Sequence, residues 1–107
     1  MPTPENKVKK EATDVLTRLG VWYFMPGATM YGRRGISDIV AVVNGLVLFV
    51  EVKSTRGEVT KMQEFFLKEA ADKGGAYTMV FWPGDARALE HRITTMQRRS
   101  LNANDQG

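Results

Sequence analysis

The sequence predicts an α/β domain, a mixed four-stranded sheet flanked by helices, in the order helix, strand, strand, strand, helix, strand, helix. Three observations carry this. Asn44-Gly45 separates two apolar, β-branched runs at 39–43 and 46–50, and Asn-Gly in that setting is the strongest short-range signal for a β-hairpin. A strand over 46–53, a helix over 60–73 and a strand over 76–82 make a crossover, which is right-handed when its two strands lie parallel in one sheet. Apolar residues at helical spacing near both ends of the chain supply helices to cover that sheet.

The elements follow in order. Thr3 can cap a first helix, Pro4 suits its first position, and Glu5 favours the positive end of its dipole. Val8, Ala12, Val15, Leu16 and Leu19 form its apolar stripe, and Gly20 ends it. At about 100° per residue, Glu5 falls roughly 35° from the centre of the stripe and Glu11 roughly 85° away. Lys7, Lys9, Lys10, Asp14 and Arg18 fall mostly on the outer faces. The aromatic run 21–25 reads as a strand closed by Pro26-Gly27, and a glycine-rich loop carrying Arg33-Arg34 leads to the hairpin. Beyond it, 54–58 is polar and turn-like. Thr60 and Gln63 fit a capping box for a helix with Met62, Phe65, Phe66 and Ala70 on its core side, stopping at Gly74-Gly75. Pro83-Gly84 ends the last strand. Asp85 caps a final helix whose inward positions are Leu89, Ile93 and Met96. The reading is one domain over 1–99, followed by a polar, frayed tail at 100–107.

Composition narrows the classes. A chain of 107 residues suffices for one core without staples. The absence of cysteine excludes disulfides and thiolate zinc sites. A net charge of +3 permits a nucleic-acid partner without proving one. The first residues lack the apolar stretch of a signal peptide, and no apolar run is long enough to span a bilayer. The expectation is a cytoplasmic protein, in a bacterium or an infected host cell, with no membrane partner.

Function begins at the end of the hairpin. Asp38 starts the first strand and lies near the end of the second, where Glu51 and Lys53 share one face while Val52 turns to the other. Charges at the end of an apolar hairpin are costly unless they are paired or bind a metal. Carboxylate oxygens suit Mg²⁺ or Mn²⁺, and one or two carboxylates with a substrate phosphate are the usual magnesium arrangement. Lys53 can orient a water or neutralise charge developing on the phosphate. Gln63 and Glu5 are candidates to join the site. Arg33 and Arg34 offer donors to flanking phosphates, and Ser37, Ser54, Arg56 and Lys61 are assigned with them to DNA contact. Metal-assisted phosphodiester hydrolysis is the chemistry these groups favour.

Asp38 followed by Glu51-x-Lys53 at the end of the next strand resembles the PD-(D/E)XK nuclease core. Gly35-Ile36-Ser37-Asp38, the early Glu5 and the later Gln63 resemble its VRR-NUC branch, itself similar to the archaeal Holliday-junction resolvases. The likeness runs from about residue 5 to 82. It implies a restriction-endonuclease-like core, with Asp38, Glu51 and the Val52 carbonyl as ligands of Mg²⁺ and with Mn²⁺ able to substitute. It further implies Lys53 as the catalytic lysine, Gln63 as its support, and Glu5 as the first-helix carboxylate. Ser37 departs from the proline more usual in this branch, as the resolvases also do. A stand-alone chain of this branch looks like the phage and bacterial type, a homodimer acting on branched DNA, four-way junctions especially.

Plainer readings compete with these. Glu51 and Lys53 could form a surface ion pair worth about 0–1 kcal/mol. Gln63 is fully explained by the capping box. Glu11 reads as a solvated charge and Arg98-Arg99 as favouring a helix C-terminus. Trp22, Tyr23, Phe24, Phe65, Phe66 and Trp82 read as core or subunit interface rather than base-stacking groups. His91 reads as exposed and without a catalytic role. The functional alternatives are a general nickase or flap nuclease of the same fold, a non-catalytic branched-DNA-binding module, and a structural protein with paired surface charges.

Overall fold

In the computed structural model, which describes residues 4–27, 35–55 and 57–106, the chain runs α1 (Pro4–Arg18), β1 (Trp22–Phe24), β2 (Ile39–Val43), β3 (Leu46–Val52), α2 (Lys61–Asp72), β4 (Tyr77–Phe81) and α3 (Ala86–Gln106). The sheet order is β1-β2-β3-β4, antiparallel except for the β3–β4 pair, so the predicted mixed sheet and crossover are both present. Asn44 and Gly45 both adopt positive φ, 51° and 86°, as a two-residue I′ hairpin turn requires. The turn sets the register, pairing Val43 with Leu46 and, four pairs on, Ile39 with Val50.

Period-two alternation then sorts the strands into two faces. Ile39, Ala41 and Val43 of β2 and Leu48, Val50 and Val52 of β3 face the main core with Ala12 and Leu16 of α1 and Leu89, Ile93 and Met96 of α3. Full burial of each such leucine or isoleucine contributes about 1.5–3 kcal/mol. Phe49, on the other face, meets Phe66 of α2 edge-on with ring centroids 5.1 Å apart. Asp38, Glu51 and Lys53 belong to this second face by the same alternation.

The structure corrects several expectations of detail. α2 buries Phe66 and Leu67, while Met62 and Phe65 are exposed. Its inward face follows 63, 66, 67 and 70, because Gln63 is drawn toward the strand end. Trp22 is 64% exposed and Phe24 is also on the surface, so neither is core. The frayed tail is instead helix: α3 continues to Gln106, with no glycine or proline to stop it before Gly107. Ser100 is buried in that helix and its hydroxyl donates to the Asn44 carbonyl at 3.4 Å. Asp85 does not cap α3 with its side chain. Its Oδ2 accepts from the Trp82 N–H at 2.8 Å, closing the turn that precedes the helix. Glu11 is more than a solvated charge, for its two carboxylate oxygens accept from the Gly84 N–H at 3.0 and 3.2 Å and tie α1 to that turn. The proposed Thr3 cap lies outside the described residues.

Candidate functional site

Extending the hairpin register by one position puts Asp38 opposite Glu51, and directly opposed residues of an antiparallel pair present their side chains on one face. The Val52 N–H donates to Asp38 Oδ2 at 2.8 Å, which holds the aspartate across the end of the hairpin. Gly35, just before it, has φ +75°, and a Cβ there would stand 2.6 Å from the Met62 carbonyl oxygen. Only glycine lets the chain enter β2 this close to the first turn of α2.

Glu51 is 2% exposed. Its Oε1 accepts from Gln63 Nε2 at 2.9 Å and lies 3.7 Å from Lys53 Nζ, which is itself buried. Its Oε2 is buried with no hydrogen-bond partner among the described residues. Desolvation by burial lifts the Glu51 carboxyl from 4.5 to about 8. Asp38 beside it pushes the same way, because its carboxylate favours a protonated Glu51 that can donate to it; Lys53 opposes this, and Glu5 adds a further upward push. Two carboxyls facing each other behind a hairpin favour one shared proton over two charges. Glu51 Oε2 is the oxygen that a proton or a divalent ion would satisfy.

Gln63 performs both tasks that competed in the sequence. Its Oε1 accepts from the Thr60 N–H at 2.9 Å and its backbone N–H donates to Thr60 Oγ1 at 3.1 Å, completing the capping box. Its amide nitrogen remains free to bond Glu51. The helix cap therefore aims the amide at the carboxylate.

The remaining candidates separate. Glu5, on the first turn of α1, is exposed yet within electrostatic reach of Glu51. Ser37 is 1% exposed and its hydroxyl donates to the Ile39 carbonyl, which holds the turn entering β2. Ser54 is half-buried beyond Lys53, and Lys61 is exposed at the start of α2. Arg33, Arg34 and Arg56 lie outside the described residues. One site residue escaped the sequence reading. Lys9, expected on an outer face, places Nζ 3.5 Å from Asp38 Oδ1. The spacing of Glu5 and Lys9, four apart on one helix face, was the signal that could have found it.

Among the described residues no three Asp, Glu, His or Cys side chains form a complete metal cage. The donor set nevertheless fits a hard divalent ion: two opposed carboxylates, one with a buried oxygen lacking any donor, which substrate oxygens and water can complete.

A mixed sheet with an aspartate, a glutamate and a lysine gathered at the end of its central hairpin fits the nuclease-like fold of the PD-(D/E)XK superfamily. Comparison with solved structures finds a likeness to a chain described as a VRR_NUC domain, with a TM-score of 0.66 and 26% identity, over 87% of this chain and 97% of that one. That likeness supports the VRR-NUC branch of that superfamily. No protein-family model matches the sequence, and comparison with curated proteins finds no match.

Proposed function

We propose that the chain is a metal-dependent, structure-selective DNA endonuclease, hydrolysing phosphodiesters in branched DNA, four-way junctions above all. The observation that carries this reading is the Glu51 carboxyl: buried, opposite Asp38, and with one oxygen lacking any donor. Asp38, Glu51 and the Val52 carbonyl would hold Mg²⁺, or Mn²⁺ in its place. Bound there, the ion supplies Lewis-acid polarisation of phosphate oxygens and acidifies water.

The chain's own groups do the rest. The Val52 N–H fixes one oxygen of Asp38 and Gln63 fixes one oxygen of Glu51, so each carboxylate keeps its other oxygen for the reaction. Such pre-organisation leaves little rearrangement to the moment of reaction. Lys53, with its ammonium beside Glu51, orients the attacking water or neutralises charge developing on the phosphate. Glu5 adds negative charge at the rim, and Lys61 and Ser54 meet flanking phosphates. Two opposed cuts in one junction need two sites related by two-fold symmetry, which a homodimer would supply.

The test is a synthetic four-way junction incubated with purified protein. Mg²⁺ or Mn²⁺ gives two symmetric incisions and EDTA gives none. Equal cutting of linear duplex refutes the junction preference, and binding without cleavage in any divalent ion refutes the enzyme.

A further inference from the structure

We propose that Lys9 is an exchangeable counter-ion of this site, pairing with Asp38 in the free protein and passing to a DNA phosphate when a divalent ion takes up the carboxylate. The inference rests on the metal-dependent reading above and adds to it a residue that couples the ion to the substrate.

Among the described residues the geometry isolates Lys9 in this role. Asp38 Oδ2 is committed to the Val52 N–H at 2.8 Å, which leaves Oδ1 as the oxygen open to a cation. Lys9 Nζ stands 3.5 Å from that atom. The site's other ammonium, Lys53, has a side chain only 11% exposed and lies beside Glu51 rather than Asp38. Lys9 retains 32% exposure and Asp38 21%, so this pair is reached from solvent and the Lys9 stem has room to swing. A lysine is suited to such movement, being a compact charge on a flexible four-carbon stem.

Two cations cannot share one carboxylate oxygen without repulsion. A divalent ion at Asp38 therefore displaces Lys9, whose ammonium then lacks a partner until a phosphate arrives. In the absence of DNA, Lys9 and the ion compete. With DNA bound they assist each other, and by linkage each ligand strengthens the other to the same extent. Lys9 thus disfavours loading the ion on a protein that holds no substrate.

The experiment compares wild type, Lys9→Gln and Lys9→Arg by two measurements. Calorimetry with Mn²⁺ alone gives ion affinity without DNA. Binding of a four-way junction in Ca²⁺, over a range of salt, gives substrate affinity. Lys9→Gln is expected to bind Mn²⁺ about fivefold more tightly and the junction about fivefold more weakly. The slope of log affinity against log salt should fall by about one, the mark of a lost phosphate contact. Lys9→Arg, which keeps the charge, should return both affinities toward wild type. Loss of both affinities together in Lys9→Gln would show a structural role and overturn the proposal, as would no change in either. Wild type that binds no Mn²⁺ overturns the metal reading and this inference together, an outcome distinct from the first two.

Discussion

Glu51→Gln should make the metal-free protein more stable relative to wild type as pH rises, an unusual result for a change at the centre of a candidate catalytic site. The amide preserves the shape of the side chain, still accepts from Gln63, and can donate to Asp38 where the wild-type carboxyl needs a proton to do so. The wild-type carboxyl is pushed up to about 8 in the fold from 4.5, first by burial and then by Asp38. Between those values the folded protein holds a proton that the unfolded chain has lost. Stability then falls with rising pH, by about 1.4 kcal/mol per pH unit, and fully deprotonating the folded carboxyl above pH 8 removes at most about 5 kcal/mol. Below pH 4.5 both states are protonated and the penalty vanishes. Urea unfolding in EDTA at pH 5, 6, 7 and 8 measures this, because titrations common to both proteins cancel in the wild-type minus Glu51→Gln difference. That difference should fall steadily with pH. A difference flat to within about 0.5 kcal/mol would refute the reading of Glu51 as a carboxyl short of a cation. Mn²⁺ at pH 8 supplies the converse. At a hundred times its dissociation constant it should stabilise wild type by about 2.7 kcal/mol and leave Glu51→Gln unmoved.

Two further outcomes separate fold from chemistry. Thr60→Ala and Gln63→Ala should each lose about 1 kcal/mol in urea unfolding through the broken capping box, while only Gln63→Ala loses a further tenfold or more in cleavage rate, because it alone frees Glu51 Oε1. Gly35→Ala should destabilise by about 2 kcal/mol or more by the same assay, since it combines φ +75° with a Cβ 2.6 Å from the Met62 carbonyl oxygen.

The exposed aromatics mark one limit of pattern reading. A run such as 21–25 announces a strand, yet β1 is an edge strand whose Trp22 and Phe24 stand opposite Val42 and Val40, on the sheet face that carries Glu51. α2 covers that face over Phe49. Apolar character therefore located the strand without locating the layer above it. α2 shows the same limit from the other side. Its apolar residues at 62, 65, 66, 67 and 70 admit more than one inward face, and the bond from Gln63 to Glu51 goes with the one built on Phe66 and Leu67.

What the amino-acid order determines by itself is local. A two-residue Asn-Gly turn imposes one register, and period-two alternation carries that register four pairs up the hairpin, so Asp38 and Glu51 are opposed before any helix docks. The capping box is equally local, a matter of residues three apart. Tertiary packing decided the rest. It turned the cap's spare amide toward Glu51, and it buried Ser37 in the turn entering β2. It also laid α1 across the strand ends so that Lys9, outward on an isolated helical wheel, came to rest against Asp38. It removed water from Glu51, and that desolvation is the largest of the causes that lift its carboxyl to about 8. Desolvation depends on every layer above a residue, which no spacing along the chain records.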